Sequence, residues 1–449
     1  MASTTTREFS TGTAPGRLPL LGHAVPLRRR PLEFLAELPA RGDVVTVHFG
    51  RSPAHLVCHP ELVRQVLQDP QTFDKGGPLF DKVRLLIGNG LVTCPRSEHR
   101  AQRRLVQPAF QPSRIRTYAQ AAAAEADRVT ADWQQGVPVD IGARMQILTA
   151  RVTARTLFAT DIDERAMDEL ANSLAVVLDG LYRRMVLPLG PLDRLPTRGN
   201  RRFQQALTGL GELIDAIIEA HRGDPTDRGD LLSALLAARD EETGAGLTGH
   251  QIHDQVMTVL SAGTETTANT LGWAFHLLGT HPEAERALHA ELDDVLGGRP
   301  PRVEDLPALE YARRVLTETL RLRPPAWLLT RVTTVDTELA GRRLRAGSTV
   351  AFSPYALHHD PALFTAPEAF DPDRWLPERL GEIPRGAMVP FGGGARKCVG
   401  DSFALTEATL ALTRIAARWR LRPVPGPAVR AVPKMTLGTG PLPMLPEPR

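Results

Sequence analysis

Residues 391–400 read Phe391-Gly392-Gly393-Gly394-Ala395-Arg396-Lys397-Cys398-Val399-Gly400, and the reading of this stretch decides what the rest of the chain has to be. Three consecutive glycines let a backbone turn through φ values that other residues avoid, and such a turn can aim amide N–H groups at one atom. The favoured target is the Cys398 sulfur. Apolar residues then recur at helical spacing (Phe403, Ala404, Ala408, Leu412, Ile415), so Cys398 is expected just before a helix N-terminus, where free N–H groups and the dipole favour thiolate. Arg396 and Lys397 push the same way. A lone cysteine is more commonly a small buried apolar residue, and Cys58, in an expected strand, and Cys94, in an expected loop, are read as structural.

A chain of 449 residues with 42% hydrophobic and 23% charged residues is long enough and ordinary enough to bury a large core. Fifty-four basic against 51 acidic residues leave +3, which excludes a strong field drawing the whole molecule to nucleic acid or an anionic membrane. Three scattered cysteines exclude a disulfide framework or a zinc cluster. The opening residues lack a basic stretch followed by an apolar run, and no segment approaches the roughly 18 uninterrupted apolar residues of a membrane span. A cytoplasmic protein is expected.

Alternation in residues 44–49 and 54–58, with Gly50 and Pro53 between, predicts a β-hairpin. From about 113 to 323 the apolar spacing becomes helical, and short strands are expected again between 335 and 356. The Pro-rich stretch 361–395 has little periodicity, and so long a loop usually has a functional reason. Without repeats or linkers, the expectation is a single domain over 1–449, mainly α with small β-sheets (α+β). Residues 1–15 are expected to be disordered, 40–60 β-rich and 60–330 a helical core.

Residues 248–279 predict one helix on the order of 45 Å long. In its middle lies Ala262-Gly263-Thr264-Glu265-Thr266-Thr267. Gly263 leaves space beside the backbone, threonine hydroxyls can bond carbonyls one turn back and bend the helix, and a widened groove is expected there. Glu318 and Arg321, three apart in a helical segment, share a face, as do His99 and Arg103, four apart.

The 391–400 stretch matches Phe-x-x-Gly-x-Arg-x-Cys-x-Gly of the cytochrome P450 family at every fixed position, and the chain resembles the soluble bacterial type over nearly its whole length. Residues 262–266 resemble the family's Ala-Gly-x-Glu/Asp-Thr, and Glu318-x-x-Arg321 with Arg374 in Pro372-Asp373-Arg374-Trp375 resembles its Glu-x-x-Arg and second arginine. The resemblance implies haem b with Cys398 as axial thiolate, Phe391 shielding the sulfur side and Arg396 pairing with a propionate. Thr266 would hydrogen-bond the bound dioxygen and Glu265 would relay protons through water. Glu318, Arg321 and Arg374 would form a structural network bracing the cysteine loop. His99 and Arg103 resemble a propionate-binding Trp-x-x-x-Arg with His in place of Trp, and Arg331 resembles a further propionate arginine.

By the same analogy the pocket-lining segments are apolar: Phe80, 85–87, 185–189, 257–262, 326–329 and 435–437. Residues 187–198 resemble those of bacterial sesquiterpene oxidases. The implied function is a monooxygenase inserting one atom of O2 into a hydrophobic substrate, a cyclic sesquiterpene such as pentalenene, from methyl to alcohol to aldehyde, in antibiotic or terpenoid biosynthesis. A fatty-acid, macrolide or steroid hydroxylase is the alternative within the family, and a non-catalytic haem sensor or carrier the alternative outside it. The chain ends about fifty residues after Cys398, so electrons are expected from a separate ferredoxin and its NAD(P)H-dependent reductase, delivered to a monomer. Arg100, Arg104 and Lys397 are expected to form a basic docking patch.

Overall fold

The computed structural model describes residues 8–158, 164–186, 195–223 and 226–449. In chain order its elements begin with β1 (Thr11–Thr13), α1 (Ala24–Arg29), α2 (Pro31–Ala36), β2 (Val44–Phe49), β3 (Ser52–Val57), α3 (Pro60–Gln68), β4 (Phe73–Asp74) and α4 (Pro78–Ile87). There follow α5 (Arg96–Val106), α6 (Pro112–Val129), β5 (Val139–Asp140), α7 (Ile141–Phe158), α8 (Glu164–Val186), α9 (Arg198–Arg222), α10 (Leu231–Ala237), α11 (Gly249–Thr280), α12 (Pro282–Leu296) and α13 (Glu310–Leu322). The last third holds β6 (Leu329–Thr333), β7 (Thr337–Leu339), β8 (Arg342–Leu344), β9 (Thr349–Phe352), α14 (Pro354–His358), α15 (Asp401–Ala416), β10 (Trp419–Pro423), β11 (Val432–Pro433), β12 (Leu437–Gly438) and β13 (Pro443–Pro448). The mainly helical class with small sheets is as expected from the sequence. The chain divides into two compact units: residues 1–80, 326–369 and 376–398 in one, and 81–325, 370–375 and 399–449 in the other.

The first unit is built on a six-stranded sheet in the order β1-β2-β3-β9-β6-β4. The expected hairpin is present as β2 and β3, antiparallel from Val44↔Val57 to Phe49↔Ser52, with Gly50 at φ 61° in the turn. Strand alternation sends Val44 to one side, with Val57, Leu62, Val66 and Phe352, and Val45 and Val47 to the other, with Phe34, Leu35 and Leu56. Residues 11–13, expected to be disordered, form β1 parallel to β2. Thr-Gly-Thr carries no apolar signal because the strand is held by its backbone: a Cβ at Gly12 would lie 2.1 Å from the Arg41 carbonyl oxygen.

The second unit surrounds α11, which packs against α7, α13 and α15. Its start is set by a capping box: Thr248 Oγ1 accepts from the Gln251 N–H at 3.2 Å, and Gln251 Oε1 accepts from the Thr248 N–H at 2.9 Å. Thirty-two residues give a length of about 48 Å. Buried polar groups near its start are satisfied, Asp254 by the Asn89 N–H at 2.8 Å and Gln255 by the Leu91 N–H at 3.0 Å. Among the described residues no helix is long and apolar enough to cross a membrane.

Candidate functional site

The residues singled out by sequence fall into two groups, one in each unit, and each group has its own geometry. In the first unit Gly392 and Gly394 adopt φ of 68° and 61°, the left-handed region. At Gly394 a Cβ would also stand 2.0 Å from the Leu67 carbonyl oxygen, so the loop can lie on the end of α3 only with glycine there. The N–H groups of Gly392, Lys397 and Cys398 donate to the carbonyls of Val389, Gly394 and Phe391 at 3.1, 3.1 and 3.0 Å. These three bonds close the loop on itself. The loop's approach is pinned by the Val389 N–H, which donates to Nε2 of buried His358 at 3.1 Å. Cys398 is thereby presented exposed, three positions before α15, whereas Cys58 and Cys94 are buried. Burial, reinforced by Asp360 and Asp43, pushes the Cys58 thiol far up, as suits a structural cysteine.

Arg396 and Arg331 are both buried in this unit. Arg396 Nη2 donates to Asp74 Oδ1 at 2.6 Å, and Arg331 Nη1 donates to the Thr330 carbonyl at 2.7 Å. Burial, with the neighbouring Arg396 charge, brings the Arg331 guanidinium down to about 10. Two buried cations therefore share one carboxylate, Asp74, which sequence reading missed. Asp74 sits on β4 opposite Val332, next to Arg331, and no local pattern signals that pairing across more than 250 residues of chain.

In the second unit the middle of α11 carries a strip of open surface. Ala262 is exposed and Ser261, Gly263, Glu265 and Thr266 partly so, while Leu260, Thr264, Thr267 and Ala268 are buried. The Thr266 hydroxyl donates to the Ala262 carbonyl at 2.6 Å and that of Thr264 to Leu260 at 2.7 Å, the one-turn-back bonds expected of threonines here. From α7, Thr149 Oγ1 donates to the Thr264 carbonyl at 2.9 Å. At Gly263 a Cβ would meet Thr153 Oγ1 at 3.1 Å, so its smallness serves the packing of α7 on α11. Burial raises the Glu265 carboxyl above its ordinary range, and a hydrogen bond from Thr436 and the charge of Lys434 pull it partly back.

Glu318, Arg321 and Arg374 come together as expected, all buried. Arg321 binds Glu318 through two bonds, Nη2 to Oε1 at 2.7 Å and Nε to Oε2 at 2.9 Å, and Arg374 Nε reaches Oε1 at 3.3 Å. Trp375 Nε1, at 2.9 Å from Oε2, and the Asp371 N–H, at 3.2 Å from Oε1, complete the set and were not foreseen. His99 is buried and Arg103 half-buried on α5, one turn apart, with Arg103 Nε donating to Gln107 at 3.3 Å. Arg104 is not available for docking: its guanidinium binds Asp240 at 2.8 Å and Glu242 at 2.5 Å. Residues 187–194, on which most of the sesquiterpene-oxidase likeness falls, lie outside the described residues.

The loop, the buried arginines and the acid–alcohol pair on a long helix define a class, and comparison with known proteins agrees: the cytochrome P450 profile matches residues 13–446. The chain belongs to the cytochrome P450 family and is a haem-thiolate monooxygenase. It is 54% identical over 445 residues to cyclooctatin synthase of Streptomyces melanosporofaciens, covering 99% of this chain and 97% of that one. It is 54% identical over 443 residues to cyclooctat-9-en-7-ol 5-monooxygenase of the same organism (99% and 96%), and 47% identical over 429 to pentalenene oxygenase of Streptomyces avermitilis (96% and 95%). Among solved structures, the haem domain of cytochrome P450DA superimposes with a TM-score of 0.89 at 27% identity over 99% of both chains.

The residues present fit a haem. Arg396 and Arg331 are buried guanidiniums in the unit that holds the cysteine loop, groups of the kind that bind a carboxylate such as a propionate. The Cys398 side chain is exposed on a loop that a Cβ at Gly394 would disrupt, as a sulfur ligand to a bound haem requires.

Proposed function

We propose that this chain oxidises a ring carbon or methyl group of a cyclic terpene in a terpenoid biosynthetic sequence, with Cys398 as the haem thiolate, Arg331 and Arg396 on the propionates, and Thr266 and Glu265 handling protons. The observation that carries the substrate class is the 47–54% identity, over at least 95% of every chain compared, to cyclooctat-9-en-7-ol 5-monooxygenase, cyclooctatin synthase and pentalenene oxygenase.

Haem bound through the thiolate supplies the activated oxygen that is inserted. The protein's part is proton handling. With its own proton on the Ala262 carbonyl, Thr266 Oγ1 keeps lone pairs with which to accept a hydrogen bond; rotation of the hydroxyl about Cβ–Oγ1 turns it into a donor. Glu265, raised by burial, keeps a proton on its carboxyl closer to neutral pH than an exposed glutamate does, which suits it to resupply Thr266 through water. Electrons come from a separate ferredoxin and its reductase, and the protein works as a cytoplasmic monomer.

The test is a binding screen of purified holoprotein against pentalenene, cyclooctat-9-en-7-ol and long-chain fatty acids, followed by product analysis with a surrogate ferredoxin system. Oxidised cyclic terpene is the expected product; tight binding and turnover of fatty acids alone contradicts the assignment. Thr266→Ala is expected to consume reductant but release peroxide in place of product, and unchanged coupling removes Thr266 from the mechanism.

A further inference from the structure

One corner of the first unit ends in a tight turn. The Leu18 N–H donates to the Gly22 carbonyl at 2.8 Å and the Gly22 N–H to the Leu18 carbonyl at 2.9 Å, so Pro19, Leu20 and Leu21 stand at the tip of a closed loop. Gly22 also bridges Phe49 at the end of β2, and a Cβ there would lie 2.3 Å from the His48 carbonyl oxygen. The His23 N–H donates to that carbonyl at 2.8 Å, and Nδ1 of the buried His23 ring accepts from the His48 N–H at 2.9 Å. The turn is thereby clamped to the β2–β3 hairpin.

What it presents is apolar. Leu18, Leu20 and Leu21 are 41%, 65% and 54% exposed, and Val25 on α1 and Phe49 across from Gly22 are exposed too. Of the eleven large apolar side chains exposed among the described residues, these five share one corner and the other six come from six separate segments. A single exposed leucine needs no explanation, whereas a cluster marks a surface that meets something apolar. Leu20 also sits at φ 62°, in the left-handed region that a leucine avoids. Such strain persists where the surroundings over-determine it, and here the clamped turn keeps a leucine in water instead of in the core.

The charge around this tip has one sign. Arg17, Arg28, Arg29 and Arg51 are exposed and have no carboxylate partner among the described residues, while Arg30 is paired with Glu37. Neither residues 9–32 nor residues 44–60 contain an Asp or Glu. The near-neutral balance of the whole chain hides this local excess.

We propose that this corner docks the protein reversibly on the anionic surface of a lipid bilayer, Leu18, Leu20 and Leu21 entering the interface and the arginines resting on lipid phosphates. Apolar area and attraction to anionic lipid act together in such docking. A second copy of the chain fits less well, because two such corners face to face set arginine against arginine.

The test is flotation of the substrate-free holoprotein with vesicles of phosphatidylcholine containing phosphatidylglycerol, and with vesicles of phosphatidylcholine alone. Wild type is expected to bind the first much more tightly than the second and to be released as salt is raised. Leu20→Ser with Leu21→Ser is expected to weaken binding by about tenfold for each leucine, and Arg28→Ser with Arg29→Ser by about fivefold for each arginine. Leu380→Ser, at an exposed leucine outside the corner, is expected to change nothing. Leu21→Trp is expected to shift its fluorescence to the blue on the anionic vesicles and to be quenched by brominated acyl chains. If the double leucine variant does not fold, the arginine pair and the Leu21→Trp reporter carry the test. Wild type that stays in solution with anionic vesicles overturns the proposal, as does binding that neither double variant weakens. A lipid-free dimer that Leu20→Ser with Leu21→Ser dissociates also overturns it, by assigning the corner to a second copy.

Discussion

Single residues here do work that depends on what stands beside them. Arg396 is informative because it is buried against Asp74 with Arg331 alongside, an arrangement costly for a protein that binds no anion. Arg396→Leu is expected to remove the charged partner of Asp74 and to lose about 3 to 5 kcal/mol of stability, together with faster transfer of haem to apomyoglobin. Unfolding and haem-transfer rates equal to wild type contradict the propionate role. Cys398, Arg396, Glu265 and Thr266 were legible because each sits inside a short motif whose spacing carries chemistry. Asp74, Thr436 and Trp375 were not, since their partners lie 322, 167 and 57 residues away and enter only through tertiary packing. Gly263 was legible as a place needing smallness, but sequence could not show that the Thr153 side chain of α7 packs there.

At the level of elements, the strongest signals are local. The Thr248–Gln251 capping box marks where α11 begins, and the period of its apolar residues carries it to Thr280. β1 escaped notice because backbone pairing, unlike burial of side chains, leaves no alternation to read. The α13 network binds one helix to the 370–375 segment through a carboxylate with five donors on it. Glu318→Ala strips that carboxylate from two buried arginines and is expected to destabilise by about 3 to 5 kcal/mol in denaturant titration; a loss below about 1 kcal/mol, the range of a surface pair, is the contrary result. The β11–β12 hairpin depends on α8 in a comparable way. Tyr182→Phe removes the bond to the Pro433 carbonyl and is expected to speed hydrogen exchange at the Leu437 amide, read by mass spectrometry, while exchange in α13 stays unchanged.

Across the molecule, one buried group sets a pH dependence. Glu407 on α15 is buried, neither of its carboxyl oxygens has a hydrogen-bond partner among the described residues, and burial raises it well above the ordinary range. Its folded-state pKa exceeds the unfolded value of about 4.3, so the folded state binds more protons between the two. Stability from this group is therefore complete below about pH 4 and declines as pH rises toward the folded value. Glu407→Gln is expected to flatten that decline and to be more stable than wild type near neutral pH; parallel curves for the two proteins contradict it. The two units each draw on three separate stretches of chain, an interleaving that a reading along the sequence meets as one uninterrupted domain, and we propose that they fold together as one.

All of these readings depend on sulfur ligation at position 398, and the absorption of the reduced protein under carbon monoxide tests it most directly. The wild-type protein is expected to show the strongly red-shifted band of thiolate-ligated haem, and Cys398→His, with Cys58 and Cys94 retained, to lose that shift while still binding haem. A wild-type band at the position of nitrogen-ligated haem, or a red shift that survives in Cys398→His, contradicts the account.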